Sequence, residues 1–189
     1  MRIPNAEHAS RPWRIHGIVH DFELEDVWAL PTPGGPDDFP RLVEWATALD
    51  PSRGPRAGRV LFDIRFKIGS LLGWDDAEAG VGSHAPTLRD RLPADLRDSA
   101  SGVEFETVPF TPLYLTADEF AAEFANRTMH GVMHLGWVPD GTGRHRGEMA
   151  VYVKPNGMLG TAYMAAIRPF RHLVVYPPML RQLGREWRA

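Results

Sequence analysis

The feature that most constrains this chain is a change of hydrophobic period at Asn156-Gly157. Upstream, from Gly147 to Lys154, residues alternate as in a β-strand: Met149, Val151 and Val153 share one face, and Glu148, Ala150, Tyr152 and Lys154 the other. Pro155-Asn-Gly157 is turn chemistry that stops the strand. Downstream, Leu159, Tyr163, Ile167, Phe170 and Val174 recur at intervals of three and four, the spacing of an amphipathic helix. A helix from Leu159 to Trp187 would span roughly 43 Å at about 1.5 Å per residue. A small sheet cannot ignore an element of that length, so the expected class is α+β, with a sheet wrapped around the final helix. On such a face, truncating Ile167 to Ala is expected to cost about 2–5 kcal/mol.

The rest of the chain supplies the sheet. Residues 1–12 are polar and read as an ordered arm or a frayed end. Trp13 to Leu30 is strand-like, with Ile18, Phe22, Leu24, Trp28 and Leu30 on one face and Glu23 and Glu25 on the other. His20 falls with the apolar set. After Pro31-Thr-Pro-Gly-Gly-Pro36, a helix is expected from Asp37, burying Phe39, Leu42, Val43, Trp45, Ala46 and Leu49. Pro51 to Gly58 reads as a linker, and Arg59 to Leu72 as a second helix. Trp74 to Gly102 suggests an irregular excursion with one short helix. Phe105–Phe110 and Thr111–Leu115 read as two short strands or one bulged one, because Pro109 and Pro112 interrupt pairing. Asp118 to Ala125 fits a helical turn or a strand. Thr128 to Val138 is a strand, joined through Asp140-Gly-Thr-Gly143 to the one at Gly147.

At 189 residues, with 43% apolar and 24% charged residues, one domain spanning 1–189 is expected. A net charge of −3 argues against nucleic acid. The absence of cysteine removes disulfides, thiolate catalysis and thiolate metal sites. The N-terminus lacks an apolar signal core, and no apolar run approaches a membrane span, so a cytoplasmic protein without membrane insertion is expected. Homo-oligomerisation stays open.

The order strand, two helices, strands, long helix resembles the helix-grip (START-like, SRPBCC) fold, in which a curved antiparallel sheet holds a long C-terminal helix. Gly157-Met-Leu-Gly-Thr-Ala-Tyr163 and Ile167-Arg-Pro-Phe-Arg-His172 are also similar to the C-terminus of an uncharacterised bacterial family, a domain of unknown function. That family starts its helix with Gly-x-x-Tyr and continues into Pro-Phe-His or Pro-Phe-Arg-His. The resemblance implies a fold and a cavity, and no reaction.

Candidate chemistry is sparse. His130 and His134 form His-x-x-x-His, but on a strand their Cα atoms lie roughly 13 Å apart, too far to share an ion. His16 and His20 repeat the spacing. Neither metal nor cofactor is expected, and solvent-facing or networked histidines are. Arg168 and His172 lie one turn apart and are expected outward if Phe170 is buried. Pro169 should kink the helix, or break it before the strand-prone Leu173-Val-Val-Tyr176. No phosphate loop, dinucleotide fingerprint or nucleophile elbow is present. The first expectation is therefore a binder of a hydrophobic or aromatic small molecule between sheet and final helix, lined by Met133, Trp137, Tyr163 and Ile167. The second is a cofactor-free cyclase, dehydratase or isomerase on the same scaffold, with His20, Glu148 and Tyr163 as acid/base candidates. His20 is the expected polar partner of a buried Tyr163 phenol. The third is an interaction module with a filled core.

Overall fold

Alternating β periodicity pairs the central strands, and two helical layers cover the faces that result. The computed structural model describes residues 1–50, 81–82 and 85–188, without the side chains of Leu159 and Phe170. Its elements are α1 (Asn5–Ala9), α2 (Ile15–Ile18), β1 (Glu23–Ala29), α3 (Phe39–Thr47), a 3-10 turn (Leu88–Arg91), β2 (Thr111–Leu115), β3 (Glu119–Ala125), β4 (Met129–Pro139) and β5 (His145–Pro155). A C-terminal helical arm follows: α4 (Gly157–Phe170), a π-helical stretch (Arg171–Val175) and α5 (Tyr176–Glu186). Among the described residues the strands form one antiparallel sheet in the order β1-β5-β4-β3-β2. The protein is thus a mixed α+β fold with a five-stranded antiparallel sheet and a C-terminal helix. No helix among the described residues is long and apolar enough to cross a membrane.

The structure decides between some of the sequence expectations and corrects others. Residues 1–12 are ordered, since the Met1 amine donates to the Ala29 carbonyl at 3.0 Å and His8 is fully buried. Trp13 to Leu30 is not one strand: α2 places Ile15 and Ile18 in the core before β1 begins at Glu23. Phe105–Phe110 joins no strand, and only Thr111–Leu115 pairs. The ambiguous 118–125 segment is strand β3. The linker at 51–58 and the helix at 59–72 lie outside the described residues, as does the start of the 74–102 excursion. Its described part contains the short turn at Leu88–Arg91, and Leu88, Leu92 and Leu96 are buried.

Both faces of the sheet are covered. A β-bulge between Leu24 and Asp26 sets the sidedness: Leu24 pairs with Tyr152 but Asp26 with Val151, so two steps on β1 match one on β5. A single extra residue reverses every later side chain. Leu24 therefore packs with Ile15, Ile18, Val132 and Tyr152 under the N-terminal segment. Trp28 packs instead with Phe39, Leu42, Leu135, Trp137 and Leu183 under α3 and α5. The apolar set read as one face of one strand is split between two cores.

The arm starts at Gly157, whose φ of +65° suits glycine at the strand-to-helix turn. Gly160 then rests against the Thr128 carbonyl, where a Cβ has no room. Pro169 lacks the N–H an α-helix needs, and the helix continues as a π stretch rather than ending. The packing is uneven along its length. In α4, Tyr163 and Ile167 are half-buried and Met158 is 92% exposed, whereas in α5 Tyr176 and Leu183 are buried. The arm's core contacts thus lie mainly beyond Pro169, not at the Ile167 face. Leu183→Ala should lower the free energy of urea unfolding by about 2–5 kcal/mol, and Ile167→Ala by less than half as much. Equal losses would contradict this placement of the core.

Candidate functional site

Asp26 follows the bulge of β1 with a fully buried side chain, so its charge must be compensated by neighbours. The π stretch supplies them. Arg171 donates through Nη2 to Asp26 Oδ2 at 2.8 Å and to Glu25 Oε2 at 3.1 Å. His172 Nε2 lies 2.5 Å from Asp26 Oδ1, and the Tyr176 hydroxyl approaches Oδ2 at 3.5 Å. Arg2 stands 3.7 Å from Asp26, and Arg168 3.8 Å from Glu25. Burial raises the Tyr176 hydroxyl well above the ordinary tyrosine range. Trp28, two residues along β1 on the same face, packs its ring 6.0 Å from His172 and 4.8 Å from Tyr176. Among the described residues its indole N–H and the Nε–H of Arg171 are both buried without an acceptor. Two backbone irregularities therefore meet here, and leave two unmatched donors beside a carboxylate-bound imidazole.

Next to this junction the sheet is less well covered. Asp26 pairs with Val151, Val151 with Met133, and Met133 with Ala122. Met133 and Val151 are only half-buried, although β4 and β5 are interior strands. Ala122 beside them is fully buried.

A second polar cluster lies on the opposite face. His134 Nε2 lies 3.1 Å from Glu119 Oε2, and His130 Nε2 2.9 Å from Glu123 Oε2. Both pairs run diagonally between adjacent antiparallel strands. Glu119 also accepts from the Arg14 backbone N–H at 3.0 Å and from the Tyr114 hydroxyl at 2.9 Å. His8 Nδ1 lies 2.6 Å from Glu148 Oε1, and the Tyr152 hydroxyl lies 2.9 Å from His8 Nε2 and 3.3 Å from His16 Nδ1. Burial alone would raise Glu119 and Glu148. Hydrogen bonds from His134, the Arg14 N–H and Tyr114 bring Glu119 below its ordinary value, and those from His8 with attraction to Arg11 and Arg146 do the same for Glu148. Burial lowers His134, only partly offset by Glu119. Tyr114 and Tyr152 are pushed up, chiefly by burial.

The residues named from sequence are dispersed. Glu148 belongs to the cluster under α1, fully buried. His20 is exposed in the turn before β1, so it breaks no buried face, and the ground for pairing it with a buried Tyr163 phenol is gone. Trp137 is core, donating from Nε1 to the Gly35 carbonyl at 3.0 Å and flanked by Phe39 and Trp187. Met133, Tyr163 and Ile167 are half-buried on the arm side. Arg168 faces out, as expected, but His172 turns inward to Asp26, because the π stretch replaces the α-helical wheel that put it outside. Among the described residues no group of three or more His, Asp or Glu side chains could hold a metal ion.

A family model described as a protein of unknown function (DUF2867) matches residues 18–178. The chain belongs to this family. No curated protein and no solved structure matches it. The DUF2867 segment includes Asp26, Trp28, Arg171, His172 and Tyr176, while His8, Arg11, Trp13 and His16 precede it.

The cluster under α1 predicts acid lability. Glu119, Glu148 and His134 all have folded values below their ordinary ones, 4.5 for the glutamates and 6.5 for the histidine. The unfolded chain therefore takes up each proton at a higher pH than the folded one, and stability is lost as pH falls. The loss from His134 should begin below 6.5 and that from the glutamates below 4.5. The urea midpoint should fall steadily from about pH 7 to about pH 4, and His134→Gln should remove the upper part of the decline. A midpoint that rises on acidification would contradict the assignment.

Proposed function

We propose that this DUF2867 protein binds a hydrophobic or aromatic small molecule between its sheet and its C-terminal arm, on a helix-grip (START-like) architecture. One observation carries the reading: Met133 and Val151 lie on interior strands, yet both are only half-buried on the face that bears the arm. The arm is fixed at Gly160 against Thr128 and again at Arg171 and His172 against Asp26. Between these points about 16 Å of helix carries Tyr163 and Ile167, both half-buried. A ligand held between these points would meet an apolar floor and a polar end. The pairing of β1 with β5, which lets one sheet present a continuous face to the arm, supports the helix-grip reading. Methionine suits an irregular ligand, since its side chain is flexible and polarizable.

Saturable uptake of Nile red, a neutral hydrophobic fluorophore, tests this. Wild-type protein should bind it at one site, and Val151→Trp, which fills the floor, should abolish uptake with an unchanged circular dichroism spectrum. No saturable uptake by wild-type protein would leave the interaction-module reading in its place.

A further inference from the structure

For a ligand seated over Met133 and Val151, the geometry points to His172 as the base of a cofactor-free proton transfer on an enolisable carbonyl compound, an assignment that rests on the binding reading above. Asp26 Oδ1 accepts from His172 Nε2 at 2.5 Å, so in the neutral imidazole the proton lies on Nε2 and the lone pair on Nδ1. Among the described residues Nδ1 has no hydrogen-bond partner. The His172 side chain keeps 21% exposure, while that of Asp26 has none, so the imidazole is reachable where its carboxylate is not. Glu148 and His8 form a similar pair, but both are fully buried beneath the N-terminal segment.

The donors beside His172 fit the other half of the reaction. Among the described residues Arg171 Nε–H and Trp28 Nε1–H are buried without acceptors, and the Trp28 and His172 rings lie 6.0 Å apart. Buried donors aimed at a developing oxyanion stabilise it more than water does. Arg2, Arg168 and Arg171 are already set against Asp26 and Glu25. A neutral carbonyl that gains charge only transiently suits this balance better than a permanent carboxylate. In the step, His172 Nδ1 takes a proton from the carbon next to the carbonyl. The C–H electron pair becomes the enolate double bond, and the carbonyl π pair moves onto oxygen, which the unmatched N–H groups of Arg171 and Trp28 meet once ligand entry uncovers them. In a β,γ-unsaturated substrate the imidazolium, oriented by Asp26, gives that proton to the γ-carbon. The β,γ double-bond pair forms the new C–H bond, the enolate pair becomes the α,β double bond, and the oxygen pair re-forms the carbonyl, giving the conjugated isomer. Asp26 is a positioning residue.

β-Tetralone, an aromatic enolisable ketone, is a suitable probe. Exchange of its α-protons in D2O is followed by proton NMR, and binding by titration of tryptophan fluorescence. Wild-type protein should accelerate exchange at least about 100-fold over equimolar imidazole. His172→Gln should return exchange to the imidazole rate, with tetralone affinity within about threefold. Trp28→Phe keeps the buried ring and removes only the N–H, and should slow exchange at least about tenfold. Tetralone that binds but exchanges at the imidazole rate, or undiminished exchange in either variant, overturns the assignment and leaves the binding reading standing. Absence of tetralone binding overturns both.

Discussion

A carboxylate without solvent, Asp26, is the constraint on which the C-terminal half of the molecule depends. An isolated buried charge is so costly that the fold must supply partners of good geometry. Here they come from two consecutive residues of the arm, Arg171 and His172, with Tyr176 completing the set. Neighbouring residues of an α-helix diverge by about 100°. The π stretch after Pro169 is where both meet the same carboxylate. The proline that weakens the helix and the bulge that turns Asp26 toward the arm are parts of one device. Removing one member of such a buried set costs more than the set contributes, because a charge is left uncompensated.

The opposite face meets the same physical problem with local partners. Glu119 and Glu123 on β3 face the buried His134 and His130 on β4, and the N-terminal segment closes over them with His8 and the Arg14 amide. Polar groups that would be costly singly are paired as a network, although among the described residues His134 Nδ1 and Glu148 Oε2 keep no hydrogen-bond partner. That network joins the sheet to a segment that precedes the DUF2867 match, while the Asp26 junction lies within it. The two polar clusters therefore differ in kind: one fastens the N-terminal cover, the other fixes the arm beside the half-buried Met133 and Val151.

Much of this was legible in the sequence. The strands at 128–138 and 147–154, their hairpin, the helix burying Phe39 and Leu42, and the arm after Gly157 follow from periodicity. The rest depended on irregularities that periodicity does not encode. Plain alternation placed Asp26 with Leu24, Trp28 and Leu30, so a buried carboxylate was signalled, yet the bulge at Leu24/Asp26 moved that set onto two faces. His172 was expected outside because a helical wheel assumes 3.6 residues per turn, which the π stretch does not keep. Glu119 and Glu123 share the spacing of four with His130 and His134. That match acquires meaning only once both segments are antiparallel strands, and the small and acidic residues of 118–125 left their own segment open between a helical turn and a strand.

Methionine-methyl NMR tests the central claim most directly, because Met133 lies on the sheet next to Val151, the strand partner of Asp26, and Met158 is almost fully exposed on the arm. Titrating β-tetralone into protein labelled at its methionine methyls should shift Met133 saturably and leave Met158 unmoved. A Met133 signal that does not respond, or methyls that all drift without saturation, would contradict a ligand site between the sheet and the arm.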